Sequence, residues 1–191
     1  VQRLVSGRAG EPIVFVLLRN GNEVTVTATP EVREQTDPLG NVVKVGLIGV
    51  VMDDPAVYRG KPFGGTDLAR ANDAAVSEAN QLVTQGCRSV VAITNQSITD
   101  DRAMAGLYPF PVIVGGHEHT PMLEKVKDTW IVKAGADAVE AVITEVEWPE
   151  GDGPPTVTTR LEAVSGYPED PAVRARVDLH LEKVHELETA T

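Results

Sequence analysis

The stretch Pro111-Val112-Ile113-Val114-Gly115-Gly116-His117-Glu118-His119-Thr120-Pro121 constrains this chain more than any other. Val112 to Val114 is a short β-branched run, which predicts a buried strand. The two glycines predict that the strand ends in a sharp turn. His117 and His119 follow, one residue apart. On a turn, unlike on a helix, residues i and i+2 can face the same space. A strand that empties into a Gly-rich loop at the edge of an α/β sheet is a common setting for a ligand or metal. Two readings follow. Either the imidazoles share one metal ion or bind neighbouring ones, or they are solvated on a surface turn. A metal site ordinarily takes three or more ligands, so the pair alone does not decide.

At 191 residues the chain has room for one full domain or two small ones. Aromatic residues are only 4% against 42% hydrophobic, so the core must be built of Val, Ala, Leu and Ile. The net charge of -11, with no basic patch, argues against nucleic acid and anionic membranes as partners. No apolar run approaches the roughly 20 residues of a membrane helix. The N-terminus, Val1-Gln2-Arg3-Leu4, is no secretion signal, so a soluble chain that begins mid-domain is expected, its compartment left open. The single cysteine, Cys87, is expected to be a small buried residue with no base beside it, and no nucleophile.

In chain order, Gln2 to Gly10 is ambiguous, with a helix end as one reading. Ile13 to Leu18 is a β run. Asn20-Gly21 predicts a hairpin into Val24 to Ala28, which alternates with threonines. Thr36 to Asn41 reads as a turn, Val42 to Val51 as a second apolar strand, and Asp53 to Gly65 as a loop. Thr66 is the expected cap of a helix whose face is Leu68, Ala71, Ala75, Ala79, Leu82 and Val83, closed by Gly86. Ser89 to Thr94 predicts a strand and Asp100 to Leu107 a short helix. Trp130 to Lys133, Ala141 to Trp148 and Val157 to Val164 predict further strands. Asp170 and Pro171 open a last helix whose inner face is Val173, Val177, Leu181 and Val184. The fold class expected is α/β: a layered mixed sheet with helices, carrying an N-terminal β-hairpin unit.

Two resemblances divide the chain. Gly10-Glu11-Pro12, Arg19-Asn20-Gly21, Val24 to Pro30 and Asp37-Pro38-Leu39-Gly40-Asn41, leading into Gly46-Leu47-Ile48-Gly49-Val50, resemble the second half of a PDZ domain of site-2 intramembrane metalloproteases. That similarity implies a β-rich unit over 1–50, able to take a peptide or protein through a free strand edge. It does not carry over proteolysis, because His185-Glu186-Leu187-Glu188-Thr189 lacks the second histidine of His-Glu-x-x-His. A plain packing hairpin is the other reading of these residues.

From Val45 onward the chain is similar to the C-terminal half of a calcineurin-like metallophosphoesterase of the bacterial 5′-nucleotidase type, placing that part at 51–191. The matching residues are Val90-Val91-Ala92-Ile93-Thr94-Asn95-Gln96, Asp100-Asp101-Arg102-Ala103-Met104-Ala105, the Gly115 to Pro121 loop, and Ile131-Val132-Lys133-Ala134-Gly135-Ala136-Asp137. The resemblance implies a divalent metal cofactor (Mn, Zn or Fe) and a phosphate-ester small molecule as partner. It implies His117 and His119 as metal ligands, with Asn95 standing where the family has a third histidine, and Asp137 as a substrate-cleft residue. The family's Asp-x-His and Gly-Asn-His do not occur upstream of Val45. Asp178-Leu179-His180 spells the first, but on a helix i and i+2 point about 200° apart. A phosphoesterase-like protein that holds metal weakly and is inactive alone is therefore expected, its catalytic residues unknown. A peptide-binding module on a non-catalytic scaffold is the rival. Other polar residues have bland explanations: Asp100 and Asp101 as helix-start charges, Arg102 paired with one of them rather than facing a phosphate, Glu118 in solvent, and His180 and His185 solvated singly.

Overall fold

The computed structural model describes residues 13–19, 22–28, 34–36, 42–54 and 69–189. The expected helix end before Gly10, the Thr66 cap, Leu68 and most of the Asp53–Gly65 loop lie outside these residues.

Strands β1 (Ile13–Arg19) and β2 (Asn22–Ala28) form an antiparallel hairpin in which Arg19 faces Asn22, so two residues connect them. That is the loop length Asn-Gly favours. The main sheet has six strands. At its centre β4 (Val42–Val51), β5 (Ser89–Asn95), β6 (Val112–Gly115) and β8 (Thr129–Ala134) run parallel, in that order. β3 (Glu34–Thr36) and β7 (Pro121–Val126) flank them antiparallel. β3 ends at Thr36, the first residue of what reads as a turn in the sequence, and β7 was not legible there because its pattern is only half-buried. A final hairpin, β9 (Glu140–Glu147) with β10 (Thr156–Ala163), lies against β8 and β7.

Helix α1 (Ala71–Thr84) connects β4 to β5, and α2 (Ile98–Leu107) connects β5 to β6. Both crossovers step the same way along the sheet, and a shared hand then puts both helices on one face. The core lies there: Ile48, Val50, Val90, Ala92, Ile113 and Ile131 from the strands meet Ala75, Ala79, Met104 and Ala105 from the helices. Each large side chain in it contributes about 1.5–3 kcal/mol by leaving water. Gly46 lets α1 come close, since a Cβ there would sit 2.9 Å from Leu82 Cδ1. The other face of β4, β5 and β6 is open among the described residues: Leu47, Val51, Ile93 and Val114 are 40–59% exposed.

Helix ends follow local chemistry. Gly86 takes φ +94, and Cys87 N–H and Gly86 N–H donate to Leu82 and Val83 carbonyls, a Schellman closure. The N-terminus of α1 has no cap of its own. Asp53, at the end of β4, accepts from Ala71 N–H at 2.8 Å instead. Ser97 caps α2, accepting from Asp100 N–H, so the cap precedes the two aspartates. Asp170 caps α3 (Pro171–Thr189) through the Ala172 and Val173 amides, as expected. The expected inner face of α3 is not buried: Val173, Val177, Leu181 and Val184 are all exposed. Periodicity set the helix, but no described element covers the stripe. Val83 is likewise exposed, because α1 turns only Ala75 and Ala79 fully inward.

Candidate functional site

The carboxyl ends of the parallel strands bring the expected residues to one edge. Val51 pairs with Asn95, and Thr94 with Gly115. Gly116 N–H donates to Thr94 O at 2.8 Å, so the chain stays on the sheet one residue past β6. Neither Gly115 nor Gly116 uses positive φ; His117 does, at φ 74. Glu118 N–H donates back to Gly116 O at 3.0 Å. An i to i+2 bond around a residue at φ near +75° is the rare, strained form of γ-turn. The turn that the glycines suggested is thus made by the histidine. The glycines serve close approach instead. A Cβ on Gly116 would stand 2.9 Å from Asn95 Oδ1, and one on Gly115 would stand 2.8 Å from Lys133 Cε.

Beneath the turn lies a charge cluster. Lys133 is wholly buried, and its Nζ donates to Gln96 O at 3.0 Å, to Gly116 O at 2.9 Å and to Glu118 Oε2. Asp101 Oδ2 lies 2.7 Å from the same nitrogen and is also wholly buried. An ammonium has three protons, and the two carbonyls and Glu118 take them. The Asp101 contact is therefore a charge contact, and neither Asp101 oxygen receives an aligned hydrogen bond. The other oxygen of Glu118 accepts from Ile98 N–H at 2.5 Å. Burial pushes the Glu118 carboxyl up, but the bonds from Lys133 and the Ile98 amide outweigh it and hold it below the usual carboxylate range.

These contacts correct three expectations. Glu118 is not solvated as expected: it turns inward to a buried cation and keeps only 18% of its side chain exposed. Asp101 is a buried counter-ion and no mere helix-start charge. Arg102 pairs with neither aspartate; it reaches across to β7 and holds Glu124 at 2.8 and 2.7 Å. His180 is exposed, and His185 Nδ1 stands 3.3 Å from Glu188 on the next turn, so it is not solvated singly. Cys87 is half-buried; burial pushes its thiol up, partly offset by the charge of Lys44. Lys133 and Gln96 are the residues a sequence reading passes over. The signal was there in β8: Thr129, Ile131 and Lys133 alternate onto one buried face, so a lysine sits where an apolar residue belongs.

His117, His119, Asn95 and Asp137 are all exposed. Asp137 stands in the turn after β8 at φ 60, between Gly135 at φ 83 and Ala138 at φ 54. Among the described residues no three of His, Cys, Asp and Glu converge at metal-ligand spacing. Two carboxylates at the loop, Asp101 and Glu118, are taken by Lys133. The donor set fits at most one transition-metal ion with solvent completing its shell, and does not fit a pair of ions.

Fold and site together define an α/β sheet layer with a His-x-His turn at its carboxyl edge. No family model matches the chain. In structure it is similar to a sulfate thiohydrolase, SoxB, of Thermus thermophilus, with a TM-score of 0.67 and 20% identity over 83% of this chain and 30% of that one. It is also similar to a 5′-nucleotidase described as putative from Staphylococcus aureus, with a TM-score of 0.60 and 16% identity over 82% of this chain and 33% of the other. These likenesses show the fold. In sequence, 73 residues are 56% identical to a zinc metalloprotease described as putative from Mesorhizobium japonicum, covering 36% of this chain and 20% of that protein. Fifty residues are 56% identical to one from Brucella suis, covering 26% of this chain and 13% of that protein. The chain thus spans a fifth or less of these relatives and about a third of the structures. No helix among the described residues is long and apolar enough to cross a membrane.

Proposed function

We propose that this chain carries the histidine-loop part of a metallophosphoesterase-type centre, binds one divalent transition-metal ion through His117 and His119 with Asn95 beside them, and does not hydrolyse phosphate esters by itself. The observation that carries this reading is the strained turn at His117, set against Asn95 at the carboxyl edge of a sheet shared with a nucleotidase fold. Strained backbone persists where the surroundings over-determine it, and it clusters at functional sites. Two imidazoles and a neutral amide suit zinc, manganese or iron weakly and leave positions to solvent. Asp137, on the same edge, is the residue we assign to the substrate side. As part of this proposal we divide the chain into 1–50 and 51–191; that boundary would fall at the end of β4, a strand paired with β5 in the main sheet.

Titration calorimetry with Zn²⁺ and Mn²⁺ tests the reading. One ion per wild-type chain, lost in a His117→Ala/His119→Ala variant, is expected, with no nucleotide hydrolysis in Mn²⁺. Equal heats from the two proteins would remove the metal site, and turnover by the wild type would remove the claim of inactivity. The matches to proteins described as zinc metalloproteases, together with the β1–β2 hairpin, favour a second reading in which the N-terminal strands bind a peptide. A peptide array probed with the whole chain and with a variant lacking only residues 1–30, which leaves β4 in the main sheet, tests that; no binding that depends on residues 1–30 would remove it.

A further inference from the structure

We propose that Lys133 is a positioning residue whose buried ammonium clamps the γ-turn presenting His117, and so sets the direction of both imidazoles of the loop. The metal part of this inference rests on the function proposed above; the clamp itself does not.

The turn is Gly116-His117-Glu118, and Lys133 holds both flanks of it. One proton goes to Gly116 O, the oxygen that also closes the turn, and another to the Glu118 carboxylate. The third goes to Gln96 O at the end of β5, next to Asn95. Here the three donors go to the loop and to the end of β5, while Asp101 neutralises the cation from α2 at 2.7 Å without an aligned bond. The stem of Lys133 reaches the turn because residue 115 has no Cβ; one would meet Lys133 Cε at 2.8 Å and Cγ at 3.2 Å. Glu118 also holds the Ile98 amide, tying the turn to the start of α2. A histidine at positive φ relaxes unless such contacts hold it.

The test uses the whole chain and two variants. Glu118→Gln keeps an acceptor for Ile98 but loses the charge facing Lys133, and its side chain reaches the surface, so the fold survives. The triple variant Lys133→Met/Asp101→Leu/Glu118→Gln removes all three charges together, so none is left buried and unpaired. Amide hydrogen exchange without metal is the first readout. The amide at position 118, bonded across the turn, is expected to exchange at least tenfold faster in both variants than in the wild type, while the Ile131 amide in the core of β8 stays unchanged. Zn²⁺ calorimetry is the second, with affinity expected to fall about tenfold in each. Unchanged exchange at position 118 in both variants overturns the clamp. Absence of Zn²⁺ binding by the wild type overturns the proposed function and leaves the exchange result to decide the clamp.

Discussion

The two glycines ahead of the histidines predict opposite outcomes for the same substitution. Neither uses positive φ, so alanine strains no backbone at either position. At Gly115 the new methyl would meet Lys133 Cε at 2.8 Å and Asp101 Oδ2 at 3.0 Å, well inside the separation at which carbon contacts become attractive. Both neighbours are wholly buried and held to one another, so neither can withdraw. Overpacking of this kind costs about 1–3 kcal/mol, offset by about 0.4–1 kcal/mol because alanine orders the unfolded chain. The net loss is on the order of 1–2 kcal/mol, or roughly 2–8 °C in melting temperature for a domain of this size. At Gly116 the methyl would meet Asn95 Oδ1 at 2.9 Å, but Asn95 is exposed and its amide can rotate into solvent. Gly116→Ala is expected to stay within about 0.5 kcal/mol of wild type. Thermal and urea unfolding followed by circular dichroism measure both. A Gly115→Ala protein as stable as wild type, or a Gly116→Ala protein that loses as much, would refute the reasoning.

Ile113→Ala, in the helix-covered core, is expected to cost about 2–5 kcal/mol, whereas Ile93→Ala on the open face of β5, half exposed, should cost under about 1 kcal/mol by urea titration. Asp53→Ala should cost about 0.5–2 kcal/mol through the lost cap on Ala71, with faster amide exchange confined to the first turn of α1. Because burial raises the Cys87 thiol, Ellman's reagent at pH 8 should modify it more slowly in the folded protein than in urea; equal rates would contradict the burial.

Most strand and helix identities, β3 and β7 apart, were legible because they are local. Val90-Val91-Ala92 and Val112-Ile113-Val114 have few conformations that bury them, Asn20-Gly21 specifies a two-residue hairpin, and Gly86 and Asp170 mark helix ends by their backbone and capping chemistry. The α/β class and the gathering of Asn95 and the His117-Glu118-His119 loop at one edge follow from those identities, since parallel strands align their carboxyl ends. Tertiary structure alone decided which faces are covered. Val173, Val177, Leu181 and Val184 have a helix period yet stay exposed, and one face of β4, β5 and β6 is packed while the other is open. It alone decided the destination of charge as well. Glu118, Asp101 and Lys133 are separated by up to 32 positions along the chain, from 101 to 133, and meet at one nitrogen. Side-chain period and capping act over a few residues, so sequence carries them openly; a buried ion cluster is set by which elements pack, and only the folded chain reveals its members.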